Sequence, residues 1–110
     1  MEVLEKIHLS ILFDIYGALL TTKQQTVFQM YINEDVGLSE IAESLGFTRQ
    51  AAKDVIKSVT NQLNNFEDKL KLKKQFEENN QLLNSVLNLT DFTGKELFIR
   101  ETLEKLKKNL

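Results

Sequence analysis

Arg49, Gln50, Lys53 and Lys57 follow Thr48 closely, and their donor groups suit nucleic acid. An arginine fork fits guanine O6 and N7, a glutamine amide fits the adenine edge, and lysines neutralise phosphate. The spacing puts all four on the outer face of one helix. Asp54 stands among them and repels phosphate. Lys53 and Lys57, one turn apart, are placed to hold a phosphate together. The same residues also describe an ordinary solvated helix start, so spacing alone leaves both readings open. Other candidates for chemistry are poorer. His8 is the sole histidine, sits in an amphipathic stretch and has no cysteine to work with, so a structural role is expected. Asp14, between Phe13 and Tyr16, reads as a capping or ion-pairing residue. Glu77 and Glu78 lack the further ligands of a metal site. The chain has no glycine-rich phosphate loop, nucleophile elbow or metal signature, so no enzyme activity, cofactor or metal is expected.

Two helices must position the donors. In residues 38–57, LSEIAESLGFTRQAAKDVIK, Ile41, Ala42 and Leu45 form the inner face of a first short helix, and Ala52, Val55 and Ile56 that of a second. Ala42 is small where the helices cross. Gly46 supplies the positive φ of the turn, which costs a side-chain-bearing residue about 1–2 kcal/mol. Thr48 supplies an oxygen for the first amides of the second helix. This is the spacing of a helix-turn-helix, whose second helix enters the DNA major groove.

Around that motif, apolar residues recur at helical spacing and no strand-like alternation persists. A first helix is predicted over about Val3–Leu20, with Leu4, Ile7, Ile11, Ile15 and Leu19 as its inner stripe, widened by Leu12, Tyr16 and Leu20. Gly17 is read as allowing close helix approach. A second runs over about Thr22–Ile32 behind a Thr21–Gln24 capping box, with Val27, Phe28, Tyr31 and Ile32 inward. Gly37 caps the third helix. The fourth starts at Thr48 and continues or bends into a fifth, with a kink near Lys71–Lys74. Val59, Leu63, Phe66 and Leu70 form a coiled-coil-like seam, and a shifted seam follows at Phe76, Leu83 and Leu87. The last helix is expected at Gly94–Leu110, behind a Thr93–Glu96 capping box and a Phe92–Leu97 staple, with a seam at Ile99, Leu103, Leu106 and Leu110. The fold expected is all-α: a helix-turn-helix unit over residues 1–60 and a helical extension over 61–110 that serves dimerisation.

The chain has 110 residues, a net charge of −2 and no Cys, Trp or Pro. The absence of Cys excludes disulfides and thiolate metal sites. No apolar run reaches the roughly 20 residues of a membrane span, and the N-terminus lacks signal-peptide order, so a cytoplasmic location is expected. Residues 38–74 carry seven basic and five acidic side chains, a balance of +2, while both flanks are acidic. Such a small field predicts weak, salt-dependent DNA binding by a monomer. A homodimer that buries both seams would double the phosphate contacts; the alternative is that the last helix folds back on the long one.

Leu20-Thr21-Thr22-Lys23-Gln24-Gln25 followed by an acidic loop and the 38–57 motif is similar to the DNA-contacting C-terminal region of bacterial primary sigma factors. Residues 12–70 more closely resemble the YlxM-type helix-turn-helix proteins of low-GC Gram-positive bacteria and mollicutes. The resemblance rests on Leu12, Phe13, Asp14, Tyr16, Leu19, Leu20, Thr21, Lys23 and Gln24. It continues through Leu38–Ala42 and Thr48–Ala52 to Phe66, Glu67, Lys69 and Leu70, covering slightly over half the chain. Thr48 stands where the family has Ser, and Ala52 where it has the larger Val. The resemblance implies a sigma region-4-like fold and contact with double-stranded DNA through Thr48, Arg49, Gln50, Lys53 and Lys57. The family is typically encoded beside signal recognition particle genes, which implies a part in that targeting pathway. Two functions stay open: a DNA-binding regulator, and a helical adaptor that contacts protein or ribonucleoprotein of the targeting machinery.

Overall fold

A computed structural model describes residues 2–89 and 93–109. Their order is α1 (Val3–Tyr16), a 3-10 turn (Gly17–Leu19), α2 (Thr22–Ile32), α3 (Leu38–Leu45), α4 (Arg49–Leu70), α5 (Leu72–Leu87) and α6 (Glu96–Asn109). The fold is all-α, and no strand occurs among the described residues. The chain forms two compact units, Met1–Lys71 and Leu72–Leu110. The division expected after residue 60 therefore falls inside α4, whose ladder runs unbroken to Leu70.

In the first unit, α1 ends at Tyr16 rather than Leu20. Gln25 is the reason: its side-chain amide donates to the carbonyls of Gly17 at 2.8 Å and Leu20 at 3.3 Å, holding the chain in a tight turn before α2. Gly17 has an ordinary helical φ, and a Cβ there would meet the Phe13 ring at 3.3 Å; the close approach is to its own helix. The Thr21–Gln24 capping box is complete, with bonds of 3.0 and 3.2 Å.

The buried apolar side chains are Leu9, Leu12, Tyr16, Leu20, Val27, Phe28, Ile41, Ala42, Ala52, Ile56, Val59 and Leu63. This overturns the inner stripe expected for α1. Leu4, Ile7, Ile11 and Leu19 are exposed, and the buried face is Leu9–Leu12–Tyr16. The two candidate stripes adjoin on one wide apolar arc, so spacing alone does not choose between them. Tyr31 and Ile32 of α2 are only half-buried. On α4, Val59 and Leu63 are fully buried, and Phe66 lies 5.7 Å from the Tyr16 ring. Most of that seam is thus core of its own chain, and only Leu70 stays exposed. Tyr16 donates from its hydroxyl to Glu67 Oε1 at 2.7 Å, tying α1 to α4. Asp14 is exposed, and among the described residues it neither caps nor pairs.

The bend falls at Lys71, which takes left-handed φ 55°, ψ 32°. In the second unit, α5 and α6 run antiparallel, with Asn109 Nδ2 donating to Asn79 Oδ1 at 2.9 Å. Thr102 is the only buried residue of that pair of helices, while Ile99 and Leu106 are half-buried and Leu103 is exposed. The last helix begins at Glu96, not Gly94, because Gly94 holds φ +74° and belongs to the preceding turn. The expected Phe92 staple and the Leu110 seam position lie outside the described residues.

Candidate nucleic-acid interface

The turn between α3 and α4 is built as its residues require. Gly46 sits at φ 77°, and the Phe47 amide reaches back to the Ala42 carbonyl at 2.8 Å, the six-to-one bond of a Schellman turn. Thr48 is extended, and its Oγ1 accepts from the Ala51 amide at 3.0 Å. Its oxygen therefore caps α4, although its hydroxyl proton can still donate. Ala42 and Ala52 are both buried, and these small side chains let α3 and α4 pack closely.

Arg49, Gln50, Lys53 and Lys57 are all exposed on the first turns of α4, and none of the three cations is ion-paired among the described residues. The structure brings all of the sequence-selected donors onto one face. Two details qualify it. Gln50 Nε2 donates to Asp54 Oδ1 at 2.8 Å, so one of its two N–H groups is engaged; the other and the carbonyl oxygen remain for a base edge. Lys53 and Lys57 also border a groove lined by Tyr31, Leu38, Ile56 and Thr60, which Glu5 of α1 shares.

Sequence reasoning missed Lys23. Its ammonium lies 4.5 Å from the centre of the Phe47 ring, a cation–π contact between the start of α2 and the helix-turn-helix turn. This fixes a fourth cation one residue from the Thr48 cap. The signal was present in sequence as a lysine two residues after Thr21 and an aromatic in the turn, but nothing along the chain says that they meet.

Over residues 38–57 the charges cancel. Arg49, Lys53 and Lys57 stand against Glu40, Glu43 and Asp54, so the +2 of the wider segment comes from the lysines beyond it. No helix among the described residues is long and apolar enough to cross a membrane.

Comparison with known proteins agrees with this geometry. The family model described as "Putative helix-turn-helix protein, YlxM / p13 like" matches residues 3–106. The chain belongs to this family. A UPF0122 protein of Clostridium kluyveri is 51% identical over 108 residues, covering 94% of this chain and 92% of its own. A UPF0122 protein of Desulforamulus reducens is 43% identical over 91 residues, covering 83% and 76%. The UPF0122 protein YlxM of Bacillus subtilis is 35% identical over 108 residues, covering 98% of both chains. The match spans both compact units, well beyond the residues 12–70 that carry the resemblance by motif.

Proposed function

We propose that this chain is a helix-turn-helix regulator that binds double-stranded DNA through the first turns of α4. The observation that carries the reading is a capped α4 start with unpaired, exposed Arg49, Lys53 and Lys57, set by a left-handed Gly46 turn against α3. Arg49 and Gln50 read base edges, and Lys53 and Lys57 hold phosphates. Fluorescence anisotropy with the DNA upstream of its own gene tests this. With Lys53 and Lys57 on phosphates, affinity should fall about 12-fold between about 50 and 200 mM salt. Folded protein with no binding at the lower salt would overturn the reading.

A second reading is favoured by the zero charge balance of residues 38–57. Here the same face docks on protein or ribonucleoprotein of the signal recognition particle pathway, the setting that the family's gene neighbourhood suggests. Retention by the assembled particle that survives nuclease supports it. Absence of retention in both treatments counts against it.

A further inference from the structure

Among the described residues, the α5–α6 hairpin carries an exposed apolar face. At 100° per residue, Phe76, Leu83 and Leu87 fall within about 40° of one another on α5, and Ile99 and Leu103 lie about 40° apart on α6. Both helices are right-handed and antiparallel, so these phases place the two sets on the same side of the hairpin. Leu83, Leu87 and Leu103 are 43%, 75% and 52% exposed, and Phe76 is exposed with them. The opposite side carries a mixed groove, in which Glu78, Gln81, Lys105 and Lys108 surround Leu82 and Phe98. A unit of about 40 residues with one buried side chain among those described is too small to hold its helices by its own core.

The charges along the edge of that face identify the occupant. Glu96, Arg100, Glu104 and Lys107 alternate in sign along α6, and they border Ile99 and Leu103. Glu96–Arg100 and Arg100–Glu104 have the four-residue spacing of helical ion pairs, yet neither pair forms among the described residues. The pattern is self-complementary in one orientation only. Laid antiparallel on itself, α6 sets Glu96 opposite Lys107 and Arg100 opposite Glu104 of a second copy. Laid parallel and in register, it sets each charge against its own kind.

We propose that this face binds the same face of a second copy, with the two α6 helices antiparallel about a two-fold axis near Glu101–Thr102. The two hairpins then form a four-helix bundle, and every contact occurs twice, as an isologous interface requires. This inference is independent of the DNA-binding reading, because none of its residues lies in α3 or α4.

Sedimentation of the full chain at micromolar concentration tests it, with far-UV circular dichroism as the control for folding. The expected mass is twice the 12.7 kDa of one chain. Leu83→Glu with Leu103→Glu should give a single chain. Arg100→Glu alone places like charges opposite each other twice and should weaken association by about tenfold. Adding Glu104→Arg to it should restore the dimer. Arg100 and Glu104 are both exposed, so these variants keep the test decisive where the leucine pair loses helix. A wild-type mass of one chain overturns the proposal. So does a dimer that all of these variants leave unchanged, or a double exchange as weak as Arg100→Glu alone.

Discussion

Under the DNA-binding reading, neighbouring side chains on α4 divide base reading from backbone holding. Arg49 is unpaired and stands at the helix start, where a fork of donors can reach a guanine edge. Lys57 lies two turns on and is exposed, the position that reading gives to a phosphate contact. Under the DNA-binding reading, Arg49→Ala should cost about 1–3 kcal/mol on the preferred sequence and flatten the preference, whereas Lys57→Ala should weaken all sequences alike. Competition anisotropy with a preferred and a scrambled duplex separates them, and equal losses for both variants would remove the base-reading role from Arg49. Elsewhere in this unit, the Tyr16–Glu67 bond of 2.7 Å is a polar tie between α1 and α4. Tyr16→Phe keeps the packing against Phe66 and removes one donor from the half-buried Glu67 carboxylate. The expected loss is about 1 kcal/mol, read as a lower urea midpoint at unchanged slope. A loss several times larger would show that Glu67 is trapped when its donor is removed.

At the scale of elements, two left-handed residues end two helices, and they differ in what they cost. Gly46 at φ 77° meets no obstacle to a Cβ, so Gly46→Ala should cost only the conformational term, about 1–2 kcal/mol. Lys71 adopts φ 55° with a side chain in place. Lys71→Gly should therefore stabilise the chain by about 0.5–1 kcal/mol, after the added freedom of the unfolded state is offset. Thermal unfolding of both variants checks the opposite signs; a destabilising Lys71→Gly would mean that the lysine side chain makes a contact worth more than the strain. The same two sites mark what sequence reading reaches. Gly46, Thr48 and the Thr21–Gln24 box were legible because each solves a local problem of unpaired amides or positive φ. The bend at Lys71 was legible only as a region, through the phase change between two seams, because lysine has no intrinsic preference for that conformation. The start of α6 was misplaced for a related reason. Thr93 and Glu96 have capping-box spacing, but Gly94 between them takes the turn. Choosing Leu9 over Ile7 and Ile11 as the inner face of α1 depended on which helices arrive beside it, and Lys23 meeting Phe47 depended on the same tertiary approach.

The whole molecule is uneven in where it stores stability. Among the described residues, all twelve buried apolar side chains lie before Lys71, and α4 closes that core from Ala52 to Leu63. Full burial of each large one contributes about 1.5–3 kcal/mol, enough for a small domain to fold against its chain entropy. The hairpin beyond Lys71 has no comparable store. A chain ended at Lys71 should therefore keep a cooperative thermal transition and the helical signal of α1–α4. Its last residue already closes α4, since the Lys71 amide donates to the Glu67 carbonyl at 2.8 Å. Residues 72–110 made as a separate peptide should be largely unfolded when dilute and gain helix as concentration rises, because their apolar face is met only by another copy. Far-UV circular dichroism over a concentration series reads both. Loss of cooperativity in the shortened chain would place part of the essential core in α5 and α6. Helix in the dilute peptide that does not change with concentration would mean that the hairpin holds itself. Concentration-dependent helix in the peptide, beside an independently folded first unit, makes self-association and the helix-turn-helix face separable properties of one chain.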